Sequence, residues 1–319
     1  MKLIVIGGGV AGSAVAYFAA RRGAQVTLID SGQGRASNVP SALTNPVRGQ
    51  AGKVGPRAPE GLALTWRLVD ELVKAGHEIP HGRAGVLRPV PDEATRRKWA
   101  ANLPPDLPHR WLTPQEVPEL APGWHAVLEV EGGGWLDGGA FVRALQQSSG
   151  ARVRRAWAAR LDGNGVTLDC GEHLRADRTV WCGGSLGAAR LGLSAVHRAG
   201  TLLLSARPLA ARPLSFGVYA APARAGGVLG ATFEAPSPAF DDGPPPPASL
   251  DWLTLKAKRL LADFSPDITG MWTGSRLSTP FVGPRESGVW ALGGLGSKGF
   301  LLGPLQARDL VEHPDFFAV

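Results

Sequence analysis

The sequence predicts an α/β fold that opens on a parallel sheet and carries a second part rich in antiparallel strands. Three observations lead there. Lys2 to Ile6 (KLIVI) is a short apolar run, it meets a glycine cluster at Gly7 to Gly12 without a break, and Gln25 to Ile29 (QVTLI) is a second such run. A continuous apolar strand needs cover on both faces, which a parallel sheet provides. The third observation is Thr201 to Glu234, where short β-rich pieces are divided by turn residues in the manner of antiparallel strands.

Taken in order, the elements begin with the strand Lys2 to Ile6 and a helix from Ser13 to Arg22 that stops at Gly23. The strand Gln25 to Ile29 completes a βαβ unit, and Asp30 closes it. Ser31 to Pro59 is rich in Gly, Pro, Ser and Asn and is expected as a long loop of the kind that carries function. A helix over Gly61 to Ala75 follows, then a proline-broken stretch from Pro80 to Trp124 with β-like pieces such as Gly85 to Val90. Gly132 to Asp137 leads into a helix over Gly139 to Ser148. Arg152 to Cys182 alternates strand-like pieces with tight turns, including Asp162 to Gly165. After the antiparallel region, Asp241 to Pro247 is a stiff exposed loop and Ser249 to Asp263 an amphipathic helix. A strand at Val289 to Leu292, a glycine turn and a helix from Gly303 to Glu312 end the chain.

Composition removes several function classes. With 319 residues, 44% of them hydrophobic and 19% charged, the chain is globular and long enough for two lobes. No apolar run of about eighteen residues is free of charges or breakers, and a strand follows Met1 with no room for a signal peptide, so a cytoplasmic location and no membrane contact are expected. Cys170 and Cys182 support no disulfide framework. His77 and His81 are the nearest thing to a metal pair, but Pro80 spoils their common helical face, and no metal site is expected. The net charge of +7 is spread along the chain with no dense basic run, so charge alone does not point to nucleic acid. Trp135 and Trp157 are expected in the core.

Gly7, Gly9 and Gly12 spell G-x-G-x-x-G between a strand and a helix, with Ala16 small one turn later. The first glycine turns the chain, the second lets a pyrophosphate approach the backbone, and the helix N-terminus offers free N–H groups to it. Asp30 stands where a ribose hydroxyl would be read, and its charge argues against a 2′-phosphate. This unit by itself leaves FAD and NAD open. Gly183-Gly184-Ser185 and Gly293 to Gly299 form two further strand-to-helix glycine junctions, which together suggest one extended cofactor touched by distant segments.

Across nearly its whole length the chain resembles the D-amino acid oxidase family of FAD-dependent oxidoreductases, especially its glycine oxidase and sarcosine oxidase branch and the oxidase that acts on modified uridine in tRNA. The resemblance rests on Val5 to Gly12, Ala36-Ser37-Asn38, Gly134 to Asp137, Ala176-Asp177, Tyr219 to Pro222, Gly230-Ala231-Thr232 and Gly294 to Pro304. It implies a glutathione-reductase-like FAD domain from residues 1–50, 132–200 and 268–319, and a substrate domain from 51–131 and 201–267. The FAD contacts it implies are Gly7, Gly9, Val10, Ala11, Gly12, Asp30 and Ser31, then Ser37, Asn38, Ala42 and Leu43 on the following loop. Ala158, Cys182, Gly183 and Gly184 come from the middle of the chain, and Gly294, Gly296, Ser297, Lys298, Gly299 and Phe300 from the last turn. Cys182 is expected to pack in the core without a covalent link to the flavin.

The resemblance also implies a substrate site. Arg276, some twenty residues before the last glycine turn, matches the arginine that holds a substrate carboxylate in a two-point fork, although the family's Arg-Pro pair and following aspartate are absent here. Tyr219 matches a tyrosine over the substrate, and Lys298 or Lys53 would set a cation near the flavin. The expected reaction is oxidation of the C–N bond of a small amino acid or N-substituted glycine to an imine, with O2 as acceptor and H2O2 as product. A modified tRNA is the alternative substrate, less favoured because no clustered basic surface is visible. A dehydrogenase with another acceptor, or a flavin-binding protein without turnover, are further alternatives.

Overall fold

The computed structural model describes residues 1–34 and 36–318. Among these, the central sheet has six strands, in the order Arg152–Arg154, Gln25–Ile29, Lys2–Ile6, Arg178–Trp181, Trp290–Gly293, Phe281–Pro284. The first five run parallel and the last is antiparallel. The unbroken apolar character of Lys2–Ile6 follows from cover on both faces. Leu3 and Val5 join the cluster formed with the helices Val10–Arg21, Gly138–Ser149 and Gly299–Glu312. Ile4 and Ile6 alternate onto the other face, where Val166 and Leu168 of an antiparallel meander, Ala158–Asp162, Gly165–Leu168 and His173–Arg175, close over them. Each such side chain, once buried, stabilises the fold by roughly 1.5–3 kcal/mol.

The first helix starts at Val10, three residues before the expected Ser13, because Gly9 is its N-cap and Gly12 already lies inside it. Gly7 has φ +98°, a left-handed value that suits glycine, and a Cβ there would collide with the Cys182 carbonyl oxygen. Gly12 likewise leaves room for the Gly7 carbonyl and for Cys182 Cβ, so the helix sits close on the sheet.

The second sheet has eight strands, in the order Ile268–Leu277, His197–Ser205, Gly227–Gly230, Val218–Pro222, Leu214–Phe216, Val86–Val90, Ala126–Val130, His109–Leu112. Its outer face packs Leu203, Leu214, Val218, Ala220 and Leu229 against Leu253, Ala257 and Leu260 of the helix Pro247–Leu260. Its inner face carries Leu202, Tyr219, Ala221, Val228 and Trp272, with Val39 beneath. Strand alternation sends Val218 and Ala220 outward and Tyr219 and Ala221 inward.

Several expected segments differ. The long loop from Ser31 to Pro59 holds the strands Ala42–Thr44, Val47–Arg48 and Lys53–Val54 and the 3-10 turn Ala36–Asn38. These are too short to show a period, and Ala42–Thr44 exists through pairing with Gly134–Leu136. The helix Glu93–Asn102 inside the proline-broken stretch is capped by Asp92, whose carboxylate accepts from Thr95 N–H. Ile268–Leu277, expected with the cofactor-binding segments, instead pairs with His197–Ser205 along the second sheet, which extends that sheet to Leu277. Val196 N–H to Thr279 Oγ1 (2.7 Å) continues the attachment beyond the strand. No helix among the described residues is long and apolar enough to cross a membrane.

Candidate functional site

Between the two sheets lies a cavity of about 1110 Å³, above the usual range for a single drug-sized ligand. Its wall gathers the three glycine junctions from distant parts of the chain. Gly7, Gly9, Val10 and Ala11, Asp30 and Ser31, Ser37 and Asn38, Ala42 and Leu43 all line it. So do Ala158, Cys182, Gly183 and Gly184, and Gly294, Gly296, Ser297, Lys298, Gly299 and Phe300. Gly12 alone of the expected cofactor contacts is set back from this wall, in the packing of the helix against the sheet.

At the first junction Val10 and Ala11, the first residues of the helix, line the cavity, and the first turn carries no acidic residue to oppose an anion. Val10 N–H donates to Ser37 Oγ at 3.0 Å, and a Cβ on Gly9 would stand 2.9 Å from the same oxygen. Gly8 N–H donates to Asp30 Oδ1 at 3.2 Å, while Asp30 Oδ2 accepts from Arg155 Nη1 at 2.8 Å. Asp30 is thus held at the end of its strand with its carboxylate on the cavity wall. Gln146 braces the turn by donating to the Gly8 carbonyl at 2.8 Å. A glycine cradle, an anion-ready helix end and an anchored acid suit the pyrophosphate and ribose of a dinucleotide.

Trp157 is not in the core as expected. It lines the cavity with the Arg190 guanidinium 4.6 Å from its ring centroid, an arrangement that depends on the fold of the meander. Trp135 is buried. Cys182 is buried too, and burial pushes its thiol up to about 12, so it stays protonated.

At the other end, Arg276 sits on Ile268–Leu277 and shares the inner face with Trp272 and Gly274. Its guanidinium lies over Gly200, where a Cβ would be 2.7 Å from Nη2, and 5.1 Å from the Phe233 ring centroid. Gly200 therefore makes room for the arginine, a relation that only the strand pairing Gly200 to Gly274 reveals. No carboxylate among the described residues lies within salt-bridge distance of Arg276. Burial lowers its pKa, with Tyr219 acting in the opposite sense. An arginine cannot shed its proton near neutral pH, so this is a half-hidden cation facing a cavity without a protein counter-ion.

Tyr219 is on the same wall, and its hydroxyl donates to the Ser41 carbonyl at 2.9 Å. Burial raises its pKa strongly, so the phenol is a fixed part of the wall and no base. Lys298 ends the 3-10 turn Gly296–Lys298, and its pKa is lowered by burial and by the nearby Arg48. Lys53 also lines the cavity.

Sequence reasoning passed over a buried polar chain beside Arg276. Ser185 Oγ is 2.6 Å from His197 Nδ1 and 2.8 Å from Ser275 Oγ, and His197 is only 2% exposed. Burial lowers the His197 pKa. Ser185 and Ser275 reach the cavity wall, and the three residues come from separate elements with no shared motif. Phe233, Phe240 and Trp252 also line the cavity, with Asp242.

The family model described as FAD dependent oxidoreductase matches residues 2–313. Among curated proteins, the tRNA 5-methylaminomethyl-2-thiouridine biosynthesis bifunctional protein MnmC of Caulobacter sp. (strain K31) is 32% identical over 351 residues, covering 98% of this chain and 54% of the relative. The MnmC of Caulobacter vibrioides is 33% identical over 333 residues, with the same coverage of 98% and 54%. The chain spans about half the length of these relatives. Among solved structures, glycine oxidase from Geobacillus kaustophilus aligns with TM-score 0.81 at 24% identity, covering 98% of this chain and 95% of that one. Iminodiacetate oxidase from Chelativorans sp. BNC1 aligns with TM-score 0.83 at 22% identity, covering 97% and 95%. At these identities the structural likeness speaks for the fold.

Proposed function

Since the chain belongs to the FAD-dependent oxidoreductase family, with FAD as its cofactor, we propose that it oxidises the C–N bond of a small amino acid or N-substituted glycine, with O2 as the final acceptor. The observation that carries this reading is Arg276, a cation on the cavity wall with no carboxylate among the described residues to pair with it. A substrate carboxylate would complete that pair through two parallel N–H···O bonds.

The glycine cradle at Gly7 and Gly9, the N–H groups of the first helix turn and Asp30 would hold the dinucleotide half, and the Gly294 to Gly299 turn the ring end. The chemistry FAD supplies when bound is acceptance of a hydride from the carbon beside the amine. Arg276 fixes the substrate by its carboxylate, which restricts the α-carbon to one orientation. Tyr219, held by Ser41, and Trp272 wall the site and exclude water from it. No side chain among the described residues is placed as a strong base, and a neutral amine needs none. The imine leaves the site and is hydrolysed by water to the free amine and a carbonyl compound, while O2 takes two electrons and two protons to become H2O2.

A second reading has its own support, because the curated relatives are named for tRNA modification and align over 98% of the chain. In that reading the N-substituent is part of an RNA and the carboxymethyl group is removed by the same chemistry. Anaerobic mixing of the FAD-loaded protein with small amino acids and N-alkyl glycines tests the first reading, with loss of the visible flavin band as the expected result. Failure of every such compound to reduce an intact FAD overturns it. Titration with bulk tRNA at low and moderate salt tests the second, which needs micromolar binding with a steep salt slope.

A further inference from the structure

One large apolar surface stands open beside the Arg276 guanidinium. The Phe233 ring centroid is 5.1 Å from Arg276 Cζ, and Phe233 lines the cavity at 52% exposure. Its place is fixed by the backbone. Thr232 N–H donates to the Thr201 carbonyl at 3.1 Å and Glu234 N–H to the Ala199 carbonyl at 3.3 Å, so the residue between them is tied to the strand His197–Ser205 on both sides. That strand pairs in turn with Ile268–Leu277, the strand of Arg276.

The remaining neighbours of the guanidinium decide what can accompany a carboxylate there. Gly200 presents no side chain, and the Tyr219 hydroxyl spends its proton on the Ser41 carbonyl. Arg198, the cross-strand partner of Arg276, adds a second positive charge without lining the cavity. A cationic substituent is therefore repelled, whereas an apolar one removes the open face of Phe233 from water. Distance allows that contact from either edge of the guanidinium. In a two-point fork the α-carbon of the ligand stands about 5.5 Å from Cζ, and so at most about 10.5 Å from the Phe233 centroid. A benzyl group on that carbon carries its ring centre about 4 Å further out, so turned toward Phe233 it comes within about 7 Å, the outer limit of an aromatic pair.

We propose that Phe233 determines specificity at this site: its open ring face receives an aromatic group carried by the substrate, so the preferred amine is an amino acid with a benzyl or similar arylalkyl substituent on the α-carbon or the nitrogen. This rests on the amine-oxidising reading of Arg276 and narrows its substrate class. Phenylalanine and N-benzylglycine fill both positions, with the carboxylate on Arg276 and the ring on Phe233. Glycine and sarcosine fill only the first.

The test uses the FAD-loaded protein and two readouts. Perturbation of the visible flavin spectrum follows binding of 3-phenylpropionate and acetate, which carry no oxidisable amine. Steady-state kinetics compare N-benzylglycine and both enantiomers of phenylalanine with sarcosine. The expected result is at least a tenfold preference for an aromatic ligand in both readouts. Phe233→Ala removes a half-exposed side chain and should retain FAD, while weakening 3-phenylpropionate at least tenfold more than acetate; Phe233→Tyr should keep the preference. Equal affinity for the two carboxylates in the native protein overturns the proposal. An equal loss for both in F233A assigns Phe233 to holding the Arg276 guanidinium, and loss of FAD from F233A assigns the ring to the cofactor; either overturns it. Binding of 3-phenylpropionate that Arg276→Lys leaves unaltered overturns it as well. If 3-phenylpropionate binds through Phe233 and Arg276 but no amine is oxidised, the specificity site stands and the reading of the reaction falls.

Discussion

Val10 N–H donates to Ser37 Oγ at 3.0 Å, so a residue of the loop after the second strand is clamped onto the N-terminus of the first helix. The hydroxyl uses an acceptor position on Val10 and keeps its own hydrogen to donate to an anion at the helix end. Ser37→Ala should therefore weaken FAD binding by about tenfold or more, taking a hydrogen bond to a charged group at roughly 1.5–3 kcal/mol. Titration of apoprotein with FAD checks this. Gly9→Val is more severe, because its Cβ meets Ser37 Oγ at 2.9 Å and closes the pyrophosphate approach. That variant should purify colourless, whereas the native protein should carry about one FAD per chain, all of it released on denaturation.

Arg276→Lys separates substrate docking from cofactor binding. Lysine keeps the charge and loses the planar two-point fork. The expected loss in kcat/KM is about tenfold or more, carried mainly by KM, at unchanged FAD content. An unaltered kcat/KM would move the carboxylate site elsewhere in the cavity.

The two thiols should behave differently. Cys170 is exposed, while Cys182 is buried and burial pushes its pKa up to about 12. Only the thiolate reacts with alkylating agents. Native protein should incorporate one label per chain, at Cys170, and denatured protein two, as peptide mass mapping would show.

His197 gives a pH dependence with a definite sign. Its folded pKa is lowered by burial, so below the unfolded value of about 6.5 the unfolded chain takes up a proton that the folded protein refuses. Stability contributed by neutral His197 is fully present above that value and is lost as pH falls from it toward the folded pKa. In urea titrations the stability difference between native protein and His197→Asn should be constant above about pH 7.5 and shrink as pH falls through about 6.5. A difference that grows on acidification would mean that the Ser185 contact favours the imidazolium instead.

The βαβ unit and its dinucleotide chemistry were legible from residues alone, because Lys2 to Asp30 form a local motif in which strand, turn and helix are consecutive. The family was legible as well, through short glycine-bearing motifs scattered in the expected order. Even the last junction was visible at Gly294 to Gly299, although a Pro inside the helix at Pro304 hid its true start at Gly299. Local patterns failed where pairing is long-range. Ala42–Thr44 is a strand because Gly134–Leu136 lies beside it, and Ile268–Leu277 belongs to the second sheet through His197–Ser205.

By itself the sequence determined which glycines turn the chain, which runs fill the sheet and which cofactor class fits the first thirty residues. Tertiary structure alone decided the substrate end of the cavity. Gly200 clears space for Arg276 from a strand more than seventy positions away, and Ser41 takes the hydroxyl of Tyr219 across the interface of two sheets. His197, Ser185 and Ser275 meet from three elements, and Arg48 joins Lys298 from the opposite end of the chain. Backbone turns and apolar periods are encoded by neighbours in sequence, whereas the environment of a charge is set by whatever the fold brings within a few ångströms of it.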